Sequence, residues 1–445
     1  MSDRFTSTRA HLGEILALGI PAMLAQASQP ILNIGETALI GRLGAEALAA
    51  RAIGAAIISS IYWVFAFLTF GTTTLIGYHF GARDKKAAGQ TYFHALVLAL
   101  AGGLAVAVAG CVFAEPLFRL LGAEPAVVAK GANYFRIYIA SAPLTLMVYS
   151  SVGFLRGIQN TRTPFVVALA MTALQLTLDY GMIYGNFGLP AFGLIGAAVA
   201  ACIAQLTGAT IYLVLYLTSK QTADYRDIQW RITSAGLRPL FRIGQHLAVR
   251  TGALRLSLVF ATSTAARMGA TTLAAYEIVF QLFMLCSDVI DGLAIAGQAL
   301  VAKHLGSQEK RQAYRMGVTL SVSGFITGLL FALAFATAWN SIVRFFTASP
   351  EVIVRLTGNI MLLVCFLQPL NGVVFVLDGL LIGARDTRYL MWAMLAGALA
   401  VFVPISWASL HFSWGLIGIV SGVSALMLWR CATNLLRFFS RRWAG

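Results

Sequence analysis

Two carboxylate residues lie inside apolar stretches of the chain, where a charged side chain is costly. Glu36 is the only charged residue between Ile15 and Ile40, and Asp179 lies in a second apolar stretch. Carboxylates within a membrane usually face a bundle interior or a wet cavity and handle ions or protons. Because burial favours the neutral form of a carboxyl group, such a residue can take up a proton on one side and release it on the other. These two residues are therefore predicted to form a cation or proton site.

Polar side chains lie at helical spacing from both carboxylates and share their helix faces. They are Gln29 and Asn33 before Glu36, and Thr172 and Gln175 before Asp179. We expect them to line a cavity beside the carboxylates. For Gln29 or Thr172 taken alone, a hydrogen bond between helices is the better interpretation. Pro21 lies in the same stretch as Glu36, and it offers that helix a place to bend because proline removes a backbone hydrogen bond.

The second half of the chain carries its own carboxylates in apolar stretches, chiefly Asp291 and Asp378. A glycine follows each of these two, so both could cap or kink a helix. Equally, they could line a cavity of the second half, and the sequence leaves both interpretations open. Arg255 lies in a nearby apolar stretch and could be a counter-ion to one of them, which would make the pair structural.

The segments that position these residues are too apolar for a soluble protein. Of 445 residues, 59% are hydrophobic and 11% are charged, whereas soluble domains carry about 25% charged residues. Twelve apolar runs approach the length of a membrane-spanning helix, the first at 12–40 and the seventh at 243–266. The sequence thus predicts an all-α integral membrane protein with twelve transmembrane helices.

The two halves of the chain resemble each other at a nearly constant offset. The matching pairs of segments are Arg42–Ala50 with Arg267–Ala275, His79–Ala82 with His304–Ser307, and Gly153–Gly157 with Gly379–Gly383. A repeat of six helices predicts two six-helix bundles related by a pseudo-twofold axis along the membrane normal. The predicted domains are an N-terminal lobe at 1–218, a cytoplasmic linker at 219–242 and a C-terminal lobe at 243–445. Ala261 is the counterpart of Glu36, so the two halves are functionally unequal.

The basic charge of the chain, +15, is distributed unevenly along it. If the N-terminus is cytoplasmic, most Lys and Arg residues fall in cytoplasmic segments, as topology rules require, so both termini are predicted inside. The Lys and Arg residues predicted on the non-cytoplasmic side are Arg42, Arg51, Arg119, Lys130, Arg267, Arg344 and Arg355. No basic soluble face is long enough to bind nucleic acid, and the first apolar run is too long for a cleavable signal peptide.

The sequence holds no constellation typical of an enzyme. It contains no P-loop lysine motif and no HExxH, and its five cysteines are scattered singly. We therefore expect no enzyme activity, no metal site and no cofactor. Transport would draw its energy from an ion gradient of protons or, alternatively, sodium.

Four motifs in order resemble the multidrug and toxic compound extrusion (MATE) family, in the branch of DNA-damage-inducible protein F (DinF). They are Pro30–Gly44, Leu178-Asp179, Asp291–Ala296 and Leu377–Ala384. The resemblance covers essentially the whole chain. It implies a V-shaped pair of six-helix bundles that work by alternating access. It also implies that Glu36 and Asp179 form the cation or proton site and that the first helix bends at Pro21.

The resemblance implies an exporter of amphipathic, often cationic, organic compounds in exchange for protons or sodium ions. The family usually has Asp at the position that Glu36 occupies here. The branch's usual Asn or Gln near Asp179 is also altered, with Thr172 and Gln175 in those places. Since sodium needs several well-placed oxygen atoms, these departures favour protons. The expected protein is a monomer in the bacterial cytoplasmic (inner) membrane that binds small molecules and the lipid bilayer.

Two rival functions remain open from the sequence. A flippase for lipid-linked substrates would need a basic cavity for phosphate, with Arg136, Arg250 and Arg255 as the candidates. A membrane-embedded enzyme is a third class, and the lack of a metal or nucleophile cluster in the sequence counts against it.

Overall fold

The computed structural model describes residues 2–444, with side chains from residue 11 onwards, and none of these residues is in a β-strand. The first eight helices are α1 (Ser2–Gly41), α2 (Ala45–Phe65), α3 (Phe67–Gly81), α4 (Lys85–Leu120), α5 (Pro125–Ala140), α6 (Ala142–Gly157), α7 (Arg162–Tyr184) and α8 (Leu194–Thr218). The remaining eight are α9 (Ser234–Arg267), α10 (Ala270–Gly306), α11 (Lys310–Phe346), α12 (Pro350–Leu356), α13 (Asn359–Gly383), α14 (Thr387–Ala396), α15 (Val403–His411) and α16 (Gly415–Phe439). A π-helical turn, Gly397–Phe402, joins α14 to α15.

The predicted all-α membrane architecture is confirmed. Within residues 2–444, ten helical segments are long and apolar enough to cross a membrane, or eleven if α5 and α6, bent by 45°, form one span. The predicted segment without such a match is 243–266, which lies in α9. That helix carries Arg250 and Arg255 in its interior, and these charges lower its hydropathy. It is nevertheless a continuous helix of 34 residues, which at about 1.5 Å per residue is long enough to span a bilayer.

The chain forms two compact units whose bounds differ from the predicted domains. One comprises Leu24–Gly244 and the other comprises Met1–Met23 together with Gln245–Gly445. The break at Gly244 is close to the predicted one at residue 242, but the start of α1 belongs with the second half. Ile15 and Leu18 are buried there in a cluster with Ile290 and Leu293. Hydrophobic packing, rather than chain order, thus assigns the first 23 residues.

The backbone shows the internal repeat directly. Arg83 and Gln308 have φ values of 57° and 61°, unusual for residues other than glycine, and they occupy equivalent turns. The hydrogen bonds around them match: Asp84 N donates to His79 O, and Glu309 N donates to His304 O, both at 2.9 Å. The same left-handed geometry ends each helix because it satisfies carbonyl groups that a helix terminus leaves free.

The predicted linker at 219–242 is folded against the first unit. It contains a short 3₁₀ helix, Lys220–Tyr225, and the first residues of α9. Asp224 forms an ion pair with Lys85, and Asp227 forms one with Lys86 at 2.6 Å. A Cβ atom on Gly89 would come within 2.0 Å of the Tyr225 carbonyl oxygen, so this segment lies directly on α4.

Glycine residues allow α11 and α13 to pack backbone against backbone. A Cβ atom on Gly372 would lie 2.0 Å from Gly324 O, and one on Gly324 would lie 2.4 Å from Gly372 O. Small residues commonly permit such close helix contacts in membrane proteins.

Replacing Gly372 with alanine should therefore force these two helices apart. We expect Gly372→Ala to lower the free energy of unfolding by about 1–3 kcal/mol, as overpacking does. Thermal unfolding in detergent measures this change. Gly252→Ala is the matched control, because no atom lies within 4 Å of its added Cβ and alanine favours the helix by about 0.5–1 kcal/mol. Equal effects at both positions would contradict the proposed steric cause.

Candidate functional site

Glu36 is buried in the first unit and forms an ion pair with a residue that sequence analysis placed elsewhere. Its side chain is 8% exposed, and its Oε2 atom accepts a hydrogen bond from Arg51 Nη2 at 2.9 Å. The charge distribution had counted Arg51 among the basic residues of the non-cytoplasmic side. The structure instead buries it in α2, with 8% of the residue exposed. A buried charge needs a partner, so the isolated carboxylate of α1 was itself the signal for a buried cation nearby.

Arg51 is held in place by further contacts to α1. Its Nη1 atom donates to Thr37 Oγ1 at 2.8 Å, and Nη2 lies 3.4 Å from Asn33 Oδ1 and 3.3 Å from Asn33 O. Asn33 thus lies beside the Glu36–Arg51 pair, and its part in lining a cavity stays a prediction. Gln29 is exposed, and its side chain does not belong to this set of contacts.

Helix α7 brings Asp179 to the same place. Gln175, four residues before it, donates from Nε2 to Glu36 Oε1 at 2.7 Å. Asp179 has no exposed surface and interacts electrostatically with Glu36 and Arg51. Neither of its carboxylate oxygens has a hydrogen-bond partner within the part of the chain that the structure describes. Thr172 is buried on the same helix, and its part in lining a cavity stays a prediction.

A tyrosine of α5 completes the surroundings of the carboxylates. Tyr134 is 2% exposed and lies close enough to Glu36, Arg51 and Asp179 to interact with each electrostatically. Its ring packs beside Gly54 of α2, where an added Cβ would approach it to 3.1 Å. Burial by this aromatic ring keeps the dielectric low, which strengthens the interactions among the three charged groups.

Pro21 lies in α1, which runs without interruption from Ser2 to Gly41. Its position is nevertheless informative, because α1 changes its packing partner between Met23 and Leu24. Pro21 thus lies just before the point along α1 at which one compact unit ends and the other begins.

The carboxylates of the second half are arranged differently. Asp378 accepts hydrogen bonds from Arg250 and Arg430, and from Asn434 Nδ2 at 2.9 Å. Its guanidinium partners are therefore Arg250 and Arg430, and Arg255, suggested as a counter-ion to one of these carboxylates, is not among them. The half-buried Asp291 interacts electrostatically with this cluster. This network of opposite charges from α9, α13 and α16 supports the structural interpretation of Asp378 that the sequence had left open.

Within residues 2–444, no group of three or more His, Cys, Asp or Glu residues is arranged to hold a metal ion. The five cysteines are free thiols.

Comparison with known proteins identifies the family. The family model described as MatE matches residues 21–181 and 253–408. DNA damage-inducible protein F of Escherichia coli K12 is 25% identical over 427 residues, covering 93% of this chain and 91% of that protein. A probable multidrug resistance protein NorM of Bradyrhizobium diazoefficiens is 27% identical over 447 residues, covering 97% and 94%.

The fold agrees with that of a solved transporter. The crystal structure of a single-residue mutant of the MATE transporter VcmN of Vibrio cholerae superposes with a TM-score of 0.88 at 22% identity, and the match covers 98% of both chains. The family model spans most of the chain, including the segments that carry Glu36, Arg51 and Asp179. This chain therefore belongs to the MATE family of multidrug transporters.

Proposed function

We propose that this chain exports amphipathic or cationic organic compounds in exchange for protons, by alternating access. The observation that carries the proposal is Asp179, a fully buried carboxyl group whose oxygens lack hydrogen-bond partners among the described residues, beside the Glu36–Arg51 ion pair. An ionised carboxylate without a partner is unstable in a low dielectric. Asp179 is therefore the group that gains and loses the transported proton.

Charge balance at this site explains why two solutes would exchange. With Asp179 protonated, the charges of Glu36 and Arg51 cancel. When Asp179 loses its proton, the three residues together carry one negative charge, which either a cationic substrate or a returning proton can neutralise. Because binding of one removes the charge that attracts the other, substrate and proton would occupy the site in alternation.

The bend at Pro21 is the proposed link between protonation and movement. Proline at this position weakens the helix that carries Glu36, and the packing of α1 changes two residues later. A change of charge around Glu36 would alter how firmly α1 is held by Arg51 and Gln175. We place the protein as a monomer in a bacterial inner membrane, with both termini in the cytoplasm.

Proteoliposomes with separately imposed gradients test the coupling ion. A pH gradient, acidic on the side to which substrate is exported, should drive accumulation of a fluorescent organic cation on that side. A sodium gradient of equal size at symmetrical pH should give no more than the leak measured in protein-free liposomes. Accumulation driven by sodium alone would contradict proton coupling and support the sodium-coupled alternative.

A lipid-linked substrate flippase is a weaker candidate. Two of the three arginines proposed for a phosphate cavity already have carboxylate partners: Arg136 pairs with Glu115 at 2.9 Å, and Arg250 pairs with Asp378. A guanidinium group held by a carboxylate is less available to phosphate.

A further inference from the structure

The first turns of α4 and α11 are equivalent in the internal repeat. The spacing that relates the two matching turns before these helices also makes Lys86 the counterpart of Arg311 and Gln90 the counterpart of Arg315. In each helix the two side chains are four residues apart, so they share one face. What covers this face in one half can therefore be compared with what covers it in the other.

In the first half, the folded linker covers this face of α4. Asp227 pairs with Lys86 at 2.6 Å, and the Arg231 carbonyl oxygen accepts a hydrogen bond from Gln90 Nε2 at 3.2 Å. The linker thus supplies an oxygen acceptor for each of the two side chains, and the cationic one receives a carboxylate.

In the second half, a third cation lies on the equivalent face of α11. Arg441 follows α16, and its guanidinium carbon is 4.5 Å from the centre of the Tyr314 ring. That ring is stacked on Phe438 at 5.0 Å, and Tyr314 shares its helix face with Arg311 and Arg315. Three exposed arginines are therefore brought to one helix turn, and we call Arg311, Arg315 and Arg441 the arginine cluster.

Within the part of the chain whose side chains are described, no carboxylate pairs with the arginine cluster. The acidic residues of the adjoining turns have other partners: Glu309 binds His304 Nδ1 at 2.9 Å, and Asp386 binds Arg437 at 2.6 Å. Like charges one turn apart on a helix are destabilising, so a bound anion would relieve their repulsion. The first half, which places a carboxylate at this position, indicates the same chemistry.

The exposed face of α11 points to a lipid as the source of the anion. The apolar residues Val318, Val322, Phe325 and Leu329 continue the face of the arginine cluster along the helix, and each is between 39% and 52% exposed. With 37 residues, α11 is about 55 Å long, whereas the hydrocarbon core of a bilayer is about 30 Å thick. Its charged first turn therefore extends into the headgroup layer, while acyl chains can lie along the apolar face.

We propose that the arginine cluster binds the headgroup phosphate of an anionic lipid. Guanidinium groups bind phosphate through paired, charge-assisted hydrogen bonds, and basic residues at a membrane surface attract anionic lipids. The phosphate would take the place that the carboxylate of the linker takes in the first half. This lipid site does not depend on which compound the protein transports.

Lipid binding to the purified protein in a non-ionic detergent provides the test. Native mass spectrometry gives the Kd of the tightest-bound phosphatidylglycerol, and of phosphatidylcholine with the same acyl chains. The test variant combines Arg311→Gln, Arg315→Gln and Arg441→Gln. We expect it to bind phosphatidylglycerol at least about tenfold more weakly than the natural protein does. Its Kd for the zwitterionic phosphatidylcholine should stay within about twofold of the natural value.

A matched control variant combines Arg42→Gln, Arg267→Gln and Arg344→Gln. These arginines are also exposed, and the net charge changes by the same amount, so the control should bind phosphatidylglycerol as the natural protein does. Thermal unfolding in phosphatidylcholine shows whether each variant is folded. If the triple test variant is not, Arg311→Gln alone changes one exposed side chain and should weaken phosphatidylglycerol binding about two- to threefold.

A soluble anion is distinguished from a lipid by adding inorganic phosphate instead. Phosphatidylglycerol should raise the midpoint of thermal unfolding of the natural protein, because it binds the folded state, and inorganic phosphate should leave that midpoint unchanged. The inference is overturned if the test variant keeps the natural Kd for phosphatidylglycerol, if the natural protein binds both lipids equally, or if the control variant loses as much affinity. Stabilisation by inorganic phosphate that the test variant lacks would also overturn it, because the cluster would then serve a soluble anion.

Discussion

Replacement of Asp179 by asparagine is expected to reduce proton-driven export more than about tenfold, which corresponds to at least about 1.4 kcal/mol in the barrier to transport. Asparagine has nearly the same size as aspartic acid but cannot carry a proton. The site would then remain neutral as long as Glu36 and Arg51 stay paired, because their charges cancel. A site that never becomes negative loses its attraction for a cationic substrate and its means of exchanging a proton.

The same substitution should leave the protein folded. Asp179 makes no hydrogen bond within the described residues that the change would break, and a neutral amide costs less to bury than an ionised carboxylate. Thermal unfolding of Asp179→Asn should therefore give a midpoint equal to or above that of the natural chain. This combination of retained stability and lost coupling separates a transport role from a structural one.

Two transport measurements establish the result. Uptake of a fluorescent organic cation into proteoliposomes is recorded with a pH gradient and without one, for the natural chain and for Asp179→Asn. Asp227→Asn is the matched control, since that carboxylate forms an exposed ion pair with Lys86 and should transport normally. Gradient-driven uptake at the natural rate in Asp179→Asn would remove Asp179 from the coupling mechanism.

The sequence singled out both carboxylates of the candidate site, because a charge inside an apolar run is visible without a structure. It also indicated that Gln175 shares the helix face of Asp179, four positions later, and the structure brings Gln175 to Glu36. The packing partners were not visible. Arg51 was counted only among the basic residues of the non-cytoplasmic side, and only tertiary contact shows that it reaches Glu36.

The second half shows the same limit. Asp378 was recognised as a candidate, but its partners come from α9 and α16, far from it in sequence, and neither was singled out as its counter-ion. Likewise, the assignment of residues 1–23 to the second half depends on which hydrophobic surface Ile15 and Leu18 meet, and helical periodicity does not specify this.

The second large effect concerns the Glu36–Arg51 ion pair. We expect the losses of stability in its two single variants not to add up in the double variant. Removing one partner of a buried pair leaves an uncompensated charge and typically costs about 3–5 kcal/mol. We therefore expect Glu36→Ala and Arg51→Tyr to be strongly destabilised as single variants. Thermal or denaturant unfolding in detergent measures each change.

The repeat supplies the design of the double variant. The positions equivalent to Glu36 and Arg51 are Ala261 and Tyr276, and both are buried in the core of the second unit, at 0% and 2% exposure. One half of the molecule thus accommodates a neutral pair where the other holds a charged one. Combining Glu36→Ala with Arg51→Tyr should recover most of the lost stability, because no unpaired charge remains. Stability losses that simply add would show that the two residues are not energetically coupled.

Transport by this double variant tests what the buried charges are for. Replacing a buried ion pair by apolar residues is often neutral or stabilising for folding, so stability alone does not explain why the first half contains one. With Glu36 and Arg51 replaced, Asp179 would be the only carboxyl group left in the cluster. No neighbouring guanidinium would then stabilise its negative charge. We expect the folded double variant to bind the organic cation but not to accumulate it in response to a pH gradient. Gradient-driven accumulation at the natural rate would instead assign the ion pair to folding and leave Asp179 to couple transport alone.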